Sequence, residues 1–156
     1  MANLKSLQAT NAQPLMNADG ANDLISVVAT FVVPSTLANG DIIEMGGLPA
    51  GYVPVDLIVA WPDLDTGAGI TFDAGLLSGN WLDAGARTIG SEFFAADTVA
   101  QTGGITRMNK AAGAQIAPTT NDRSWGLKMS HAVGTALTSG GTITATMMMR
   151  PRIENI

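Results

Sequence analysis

The chain reads as an all-β domain, a two-layer antiparallel β-sandwich or jelly roll of about seven or eight short strands behind an extended N-terminal arm. Three observations predict this. Apolar residues recur at every second position in one segment after another, the period of a strand with one buried face. Clusters of Gly, Pro, Asn and Asp separate those segments. No stretch keeps a helical period for long. The pattern does not separate a sandwich from a closed barrel, and the absence of a repeat at fixed spacing argues against a propeller or solenoid.

Residues 1–23 are polar, rich in Asn, Gln and Ala, and interrupted by Pro14 and Gly20, so they read as an extended arm. A short helix over 2–9 is the alternative there. From Leu24 the alternation begins, with Ile25, Val27, Ala29, Phe31 and Val33 on one face and Ser26 and Thr30 on the other. Pro34 closes that strand. Asn39-Gly40 supplies a turn into a short strand at 41–45, and 46–51 reads as a loop. In 52–61, Val53, Val55, Leu57, Val59 and Trp61 share a side, and Pro54, which lacks an amide hydrogen, demands an edge or a bulge. After the turn at 62–67, the strand 70–76 points Ile70, Phe72, Ala74 and Leu76 inward and Asp73 outward.

The segment 78–90 holds Trp81 and too many turn residues for a helix. Strand character returns at 92–100 and 104–108. Two clear strands follow: 124–130 places Trp125, Leu127 and Met129 inward against Ser124, Lys128 and Ser130, and 142–149 places Ile143, Ala145, Met147 and Met149 inward. The resulting organisation is an arm at 1–23, a β-domain at 24–149 and a tail at 150–156.

Composition bounds the function. At 156 residues the chain is long enough to bury a core without metals or disulfides, and it has no cysteine. Only 13% of residues are charged and the net charge is −5. Such a surface loses little hydration free energy when a neighbour covers it. The acidic balance and scattered basic residues argue against a backbone-driven nucleic-acid binder. No run of apolar residues is long enough to span a membrane, and the amino terminus lacks the apolar region of an export signal.

No constellation predicts catalysis, cofactor binding or a metal centre. The single histidine, His131, follows Ser130, and neighbours on a strand point to opposite faces. Asp63, Asp65 and Asp73 lie near one turn. Asp63-Leu64-Asp65-Thr66-Gly67 resembles part of a calcium loop but lacks the distal Glu, and Asp side chains bonding to backbone amides explain it as well. As a glycosidase pair the same carboxylates lack an aromatic platform, since Trp61 and Trp125 occupy inward positions. Trp81 is the aromatic best placed for an exposed contact. Gly46-Gly47, Gly103-Gly104 and Gly140-Gly141 match no phosphate-binding loop, and Met147, Met148 and Met149 alternate as core and surface side chains.

Several segments in order resemble the head structural proteins of tailed bacteriophages, including capsid decoration (cement) proteins. They are 39–45 (NGDIIEM), 48–59 with Leu48-Pro49-Ala50-Gly51-Tyr52, 63–67 (DLDTG), 70–75 (ITFDAG), 98–104 (TVAQTGG), 122–128 (DRSWGLK) and 141–149. The resemblance spans about 24–149 and rests on strand and turn order, with no catalytic residue to carry over. It implies a non-enzymatic virion protein on the capsid surface, assembled in the host cytoplasm. Its partners would be the major capsid protein and copies of itself, as a trimer or dimer. A carbohydrate-binding or host-attachment module using Trp81 and the loop from Asp63 to Gly69 as its contact surface, and a tail or head-completion component, are the other readings.

Overall fold

A computed structural model of the chain describes residues 2–10 and 23–152. Its strands are β1 (Asn3–Lys5), β2 (Ile25–Val32), β3 (Ile42–Leu48), β4 (Tyr52–Trp61), β5 (Thr71–Leu76), β6 (Phe94–Asp97), β7 (Gly104–Arg107), β8 (Arg123–His131) and β9 (Thr142–Pro151). Two single-turn helices, α1 (Leu7–Thr10) and α2 (Ala111–Ala114), complete it with a 3-10 turn at Val99–Gln101. The strands form a five-stranded sheet, β1-β3-β8-β5-β6, and a four-stranded sheet, β2-β9-β4-β7. All pairings are antiparallel except β1 with β3. This is the two-layer arrangement expected, and from β2 to β5 and again from β6 to β9 the chain changes sheet at each step.

The alternating apolar faces meet between the sheets. Ile143, Ala145, Met147 and Met149 of β9 are fully buried, as are Leu57 and Val59 of β4, opposite Phe72, Ala74, Trp125 and Leu127 of the five-stranded sheet. Trp61 packs its ring 4.7 Å from that of Phe72 and meets Phe94 edge-on at 6.4 Å, joining the layers.

Both open sides of the sandwich are closed by polar bonds. On one side Trp61 Nε1 donates to Thr106 Oγ1 at 2.9 Å, and Thr106 Oγ1 donates to Asp97 Oδ1 at 2.9 Å, linking β7 of one sheet to β6 of the other. On the other side β1 pairs with the edge of β3, and Ser6, fully buried, donates its hydroxyl to the Met45 carbonyl. From α1 the Gln8 side-chain oxygen then accepts the free edge amide of Thr30 in β2, at 2.9 Å. Residues 3–10, inside the segment expected to be an unpacked arm, therefore form a strand and a helical turn that clasp both sheets. Residues 11–22 of that arm and 153–156 of the tail lie outside the described residues.

Four local expectations are corrected. The loop expected at 46–51 begins later, because β3 continues through Gly46 and Gly47 to Leu48. Glycine serves there because the Trp125 ring lies across Gly46, 3.0 Å from where a Cβ would stand. Val55, expected inward, is exposed because a bulge between Pro54 and Asp56 shifts the alternation, which also accommodates the proline. The strand expected over 92–100 is only Phe94–Asp97, giving way to the 3-10 turn. Ser124, expected outward to solvent, is buried beneath the segment 77–92.

Candidate assembly surface

The outer face of each sheet is set by the residues that alternate with the core. On the five-stranded sheet, Glu44 of β3, Gly126 of β8 and Gly75 of β5 stand in one register row. Two adjacent glycines leave a shallow trough there, and the chain fills it itself. Leu77 donates its amide to Ser124 O, Ser78 donates to Thr88 O, and the segment folds back over the trough. Arg87 at its end is buried, as is Glu44 beneath it. The guanidinium gives Nη1–H to Glu44 Oε1 at 2.6 Å, Nη2–H to Ser124 Oγ at 3.0 Å and Nε–H to Ser78 O at 2.7 Å. Ser124 donates to the same Glu44 oxygen at 2.5 Å, and Lys5 Nζ lies 3.7 Å from the other. Each of the three guanidinium nitrogens is thus bonded, which is how a buried arginine is compensated. Nothing in the alternation of 78–90 marked Arg87. The signal available was one arginine in a low-charge loop facing a strand glutamate.

The four-stranded sheet is different. Register places Thr30, Thr144, Ala60 and Ile105 in one row across all four strands, and Val28, Thr146, Ile58 and Arg107 in the next. Val32 with Thr142 and Ser26 with Met148 extend the face at either end. No described segment covers it: Val28 is 49% exposed, Val32 62% and Ile105 67%. Its charged groups are Arg107 and Asp56, paired with each other through two guanidinium nitrogens, and Arg150. The face is therefore broad, uncharged over its centre and rich in Thr and Val, which sequence alternation placed outside without showing that it would stay bare.

Of the residues weighed for chemistry, Asp73, Ser130 and His131 line one open depression with Thr71, Ala96 and Gln101, while Asp63, Asp65 and Trp81 lie outside it. Ser130 Oγ lies 2.9 Å from Thr71 Oγ1, and His131, exposed at the end of β8, gives Nδ1–H to Ala132 O at 3.1 Å, so each is bonded to a group other than its neighbour. Asp73 accepts the Ala96 amide at 2.8 Å. Asp65 is buried and its carboxylate is taken up by four backbone amides, those of Gly67 at 2.9 Å and of Gly69, Ile70 and Gly134 at 2.8 Å. Burial by itself raises its pKa, but the four donors outweigh that and hold it well below the ordinary carboxylate value. Among the described residues Asp63 accepts the Asp65 amide, at 3.4 Å. The pair thus organises the loops 64–70 and 132–138, the turn-building role open to it from sequence. Among the described residues no cluster of three His, Cys, Asp or Glu is placed to hold a metal ion. Trp81 is half-buried beside Asn80, Asn121 and Asp122 in an open depression, with its backbone amide given to Asp122 O.

Comparison with solved structures agrees with this picture. A chain from the capsid of Ralstonia phage GP4 superposes with a TM-score of 0.91 at 35% identity, over 98% of this chain and 100% of that one. A chain from the capsid asymmetric unit of cyanophage Pam1 shares the fold, with a TM-score of 0.61 at 23% identity over 90% of this chain and 96% of that one. No family model and no curated protein matches. With more than a third of its residues shared along the whole length of a phage capsid chain, this protein belongs to the family of tailed-phage head structural proteins, and its place is in the virion.

Proposed function

We propose that this chain is a decoration (cement) protein, which binds the outer surface of a tailed-phage capsid together with further copies of itself and stabilises the shell. The observation that carries this reading is the bare face of the four-stranded sheet. A monomer living free in solution gains nothing from leaving Val28, Val32 and Ile105 in water, whereas an assembly component covers them at little desolvation cost. Its own core is complete and both sides of the sandwich are closed, so the domain folds before it meets the shell and adds area to contacts already made there. Weak attachment suffices, because many copies on one particle act together. The major capsid protein is the partner in this reading, no chemistry is asked of any side chain, and assembly takes place in the host cytoplasm.

The same reading divides the chain into an arm at 1–23, the sandwich at 24–149 and a tail at 150–156, with 3–10 of the arm docked on the sandwich and 11–22 contributing to attachment. Capsid binding undiminished after deletion of 11–22 would remove that contribution. The test of the whole is copy number and place. Quantitative mass spectrometry of purified virions should find this chain in hundreds of copies, released with the heads and not the tails. A handful of copies on the tail fraction would sink the proposal in favour of a tail or head-completion role. The half-buried Trp81 beside Asn80, Asn121 and Asp122 supports a second reading, a glycan-binding module. Glycan-array binding lost on Trp81→Ala would select it.

A further inference from the structure

We infer that the free edge of β2 is a docking site for an extended segment of the major capsid protein, which adds to the four-stranded sheet as a further strand along 24–29. This rests on the reading of the chain as a decoration protein and names where it grips the shell.

The described sandwich has four sheet edges, and three of them are blunted. β1 is three residues long and ends on Lys5, β7 is four long with Gly104 at one end and Arg107 at the other, and β6 is four long with Ala96 turned to a φ of 49°. Short length, charge and irregular backbone are the means by which proteins keep an edge from pairing with another chain. β2 has none of them. Its eight residues, ISVVATFV, hold no charge, no proline and no glycine, and its register with β9 runs unbroken from Ile25 to Val32.

The phase of the ladder identifies the open groups. Val33 gives its amide to Gly141 O, so the bonds to β9 fall on Val33 and on every second residue before it, Phe31, Ala29, Val27 and Ile25. The N–H and C=O of Ser26, Val28 and Thr30 therefore point away from β9. Thr30 confirms that phase, because its amide goes to Gln8 Oε1 at 2.9 Å, a side-chain oxygen standing where a neighbouring strand's carbonyl would be. Ser26 and Val28 have no such partner among the described residues, and both are exposed. Together they offer two donors and two acceptors at strand spacing, which the backbone of another extended segment matches in register.

The surroundings select that segment. β2 has no charge to compensate one, so the side chains laid beside Val28, which is 49% exposed, must be uncharged, and the new strand would widen the open face by one row. Gln8 stops it at Thr30. A second copy of β2 does not fit, because each copy carries its own Gln8 in that lane. An antiparallel pair centred on Val28 would set Gln8 of one copy against Ser26 of the other. In the proposed function the other chain at the head surface is the major capsid protein, and a strand lent by it ties the two through main-chain bonds.

Hydrogen exchange of the full chain, free and bound to heads stripped of it, reads the edge. In the free chain the amides of Ser26 and Val28 should exchange fast while those of Val27 and Ala29 are protected. On heads the two edge amides should slow by about tenfold or more. Val28→Pro removes an edge donor and leaves the β9 bonds of Val27 and Ala29 in place. It should melt close to the wild type and bind heads about tenfold more weakly. Val28→Thr, which keeps the N–H, should bind as the wild type does. A chain that coats heads while Ser26 and Val28 still exchange fast overturns the inference and leaves the decoration role standing. A chain that never coats heads removes both. Slow exchange of the two amides in the free chain also overturns the inference, since the chain itself then holds the edge. If Val28→Pro fails to fold, the exchange comparison decides alone.

Discussion

The two outer faces of this sandwich are built by the same alternation of residues and have opposite fates. The five-stranded sheet presents the trough of Gly126 and Gly75, and the chain covers it with 77–92 and locks the cover with the buried Arg87–Glu44 pair. The four-stranded sheet presents Thr, Val and Ile in registered rows, and no described segment reaches over it. On the proposed function, the open face is the one kept for a neighbour. The comparison also separates two kinds of exposed strand: one whose polar groups fix a loop, and one whose lack of charge makes a surface inexpensive to cover.

The largest expected effect breaks the covered face. Replacing Arg87 by Met leaves Glu44 and Ser124 buried without their main donor. Removing one partner of a buried ion pair costs about 3–5 kcal/mol. Urea denaturation should show the loss as a lower midpoint, and proteolysis should begin within 78–90. An unchanged midpoint would mean that the loop rests on its backbone bonds alone.

Next in size is Gly126→Ala. A Cβ at Gly126 would collide with the Ile43 carbonyl oxygen and press on Leu77, and the backbone cannot step aside without opening the β3–β8 ladder. Such overpacking typically costs about 1–3 kcal/mol. Thermal melting would measure it, and a wild-type melting temperature would show that the trough has slack.

The loop end of the sandwich gives a smaller effect, visible mainly in acid. The Asp65 carboxyl has its pKa lowered by folding, so its contribution is complete above the unfolded value of 3.8 and is lost as pH falls toward the folded one. Asp65→Asn should reduce stability at neutral pH and flatten the acid limb of the stability profile below about pH 4. Equal losses at pH 7 and pH 2.5 would contradict the amide-cage account.

The strands that period two announces, 25–33, 52–61, 124–130 and 142–149, are present because one face of each is buried and the other is not. What alternation failed to show has physical causes. The three residues of β1 are too few to carry a pattern, and their partner is parallel and far along the chain. Gly46 and Gly47 look like a turn because the reason for them, the Trp125 ring, arrives from another strand. Val55 is thrown outward by a bulge that only Pro54 hinted at. Arg87 finds Glu44 across 43 residues, a pairing no local spacing encodes. The assembly face itself was legible as outward positions in separate strands. Its continuity across all four depends on sheet order, which periodicity does not contain.

The smallest expected effect on stability is the one that gives the comparison its meaning. Thr146→Lys on β9 changes an outward side chain that touches no buried polar group. Substitutions of that kind stay within about 0.5 kcal/mol. Thermal melting should leave it indistinguishable from the wild type, in contrast to Arg87→Met. Attachment should respond in the opposite sense, because a lysine sealed under a neighbour must lose its water without a partner, and head occupancy by gel densitometry should fall. If Thr146→Lys destabilises the isolated domain as much as Gly126→Ala does, the open sheet is held from outside by contacts of this chain, and the asymmetry between its two faces disappears.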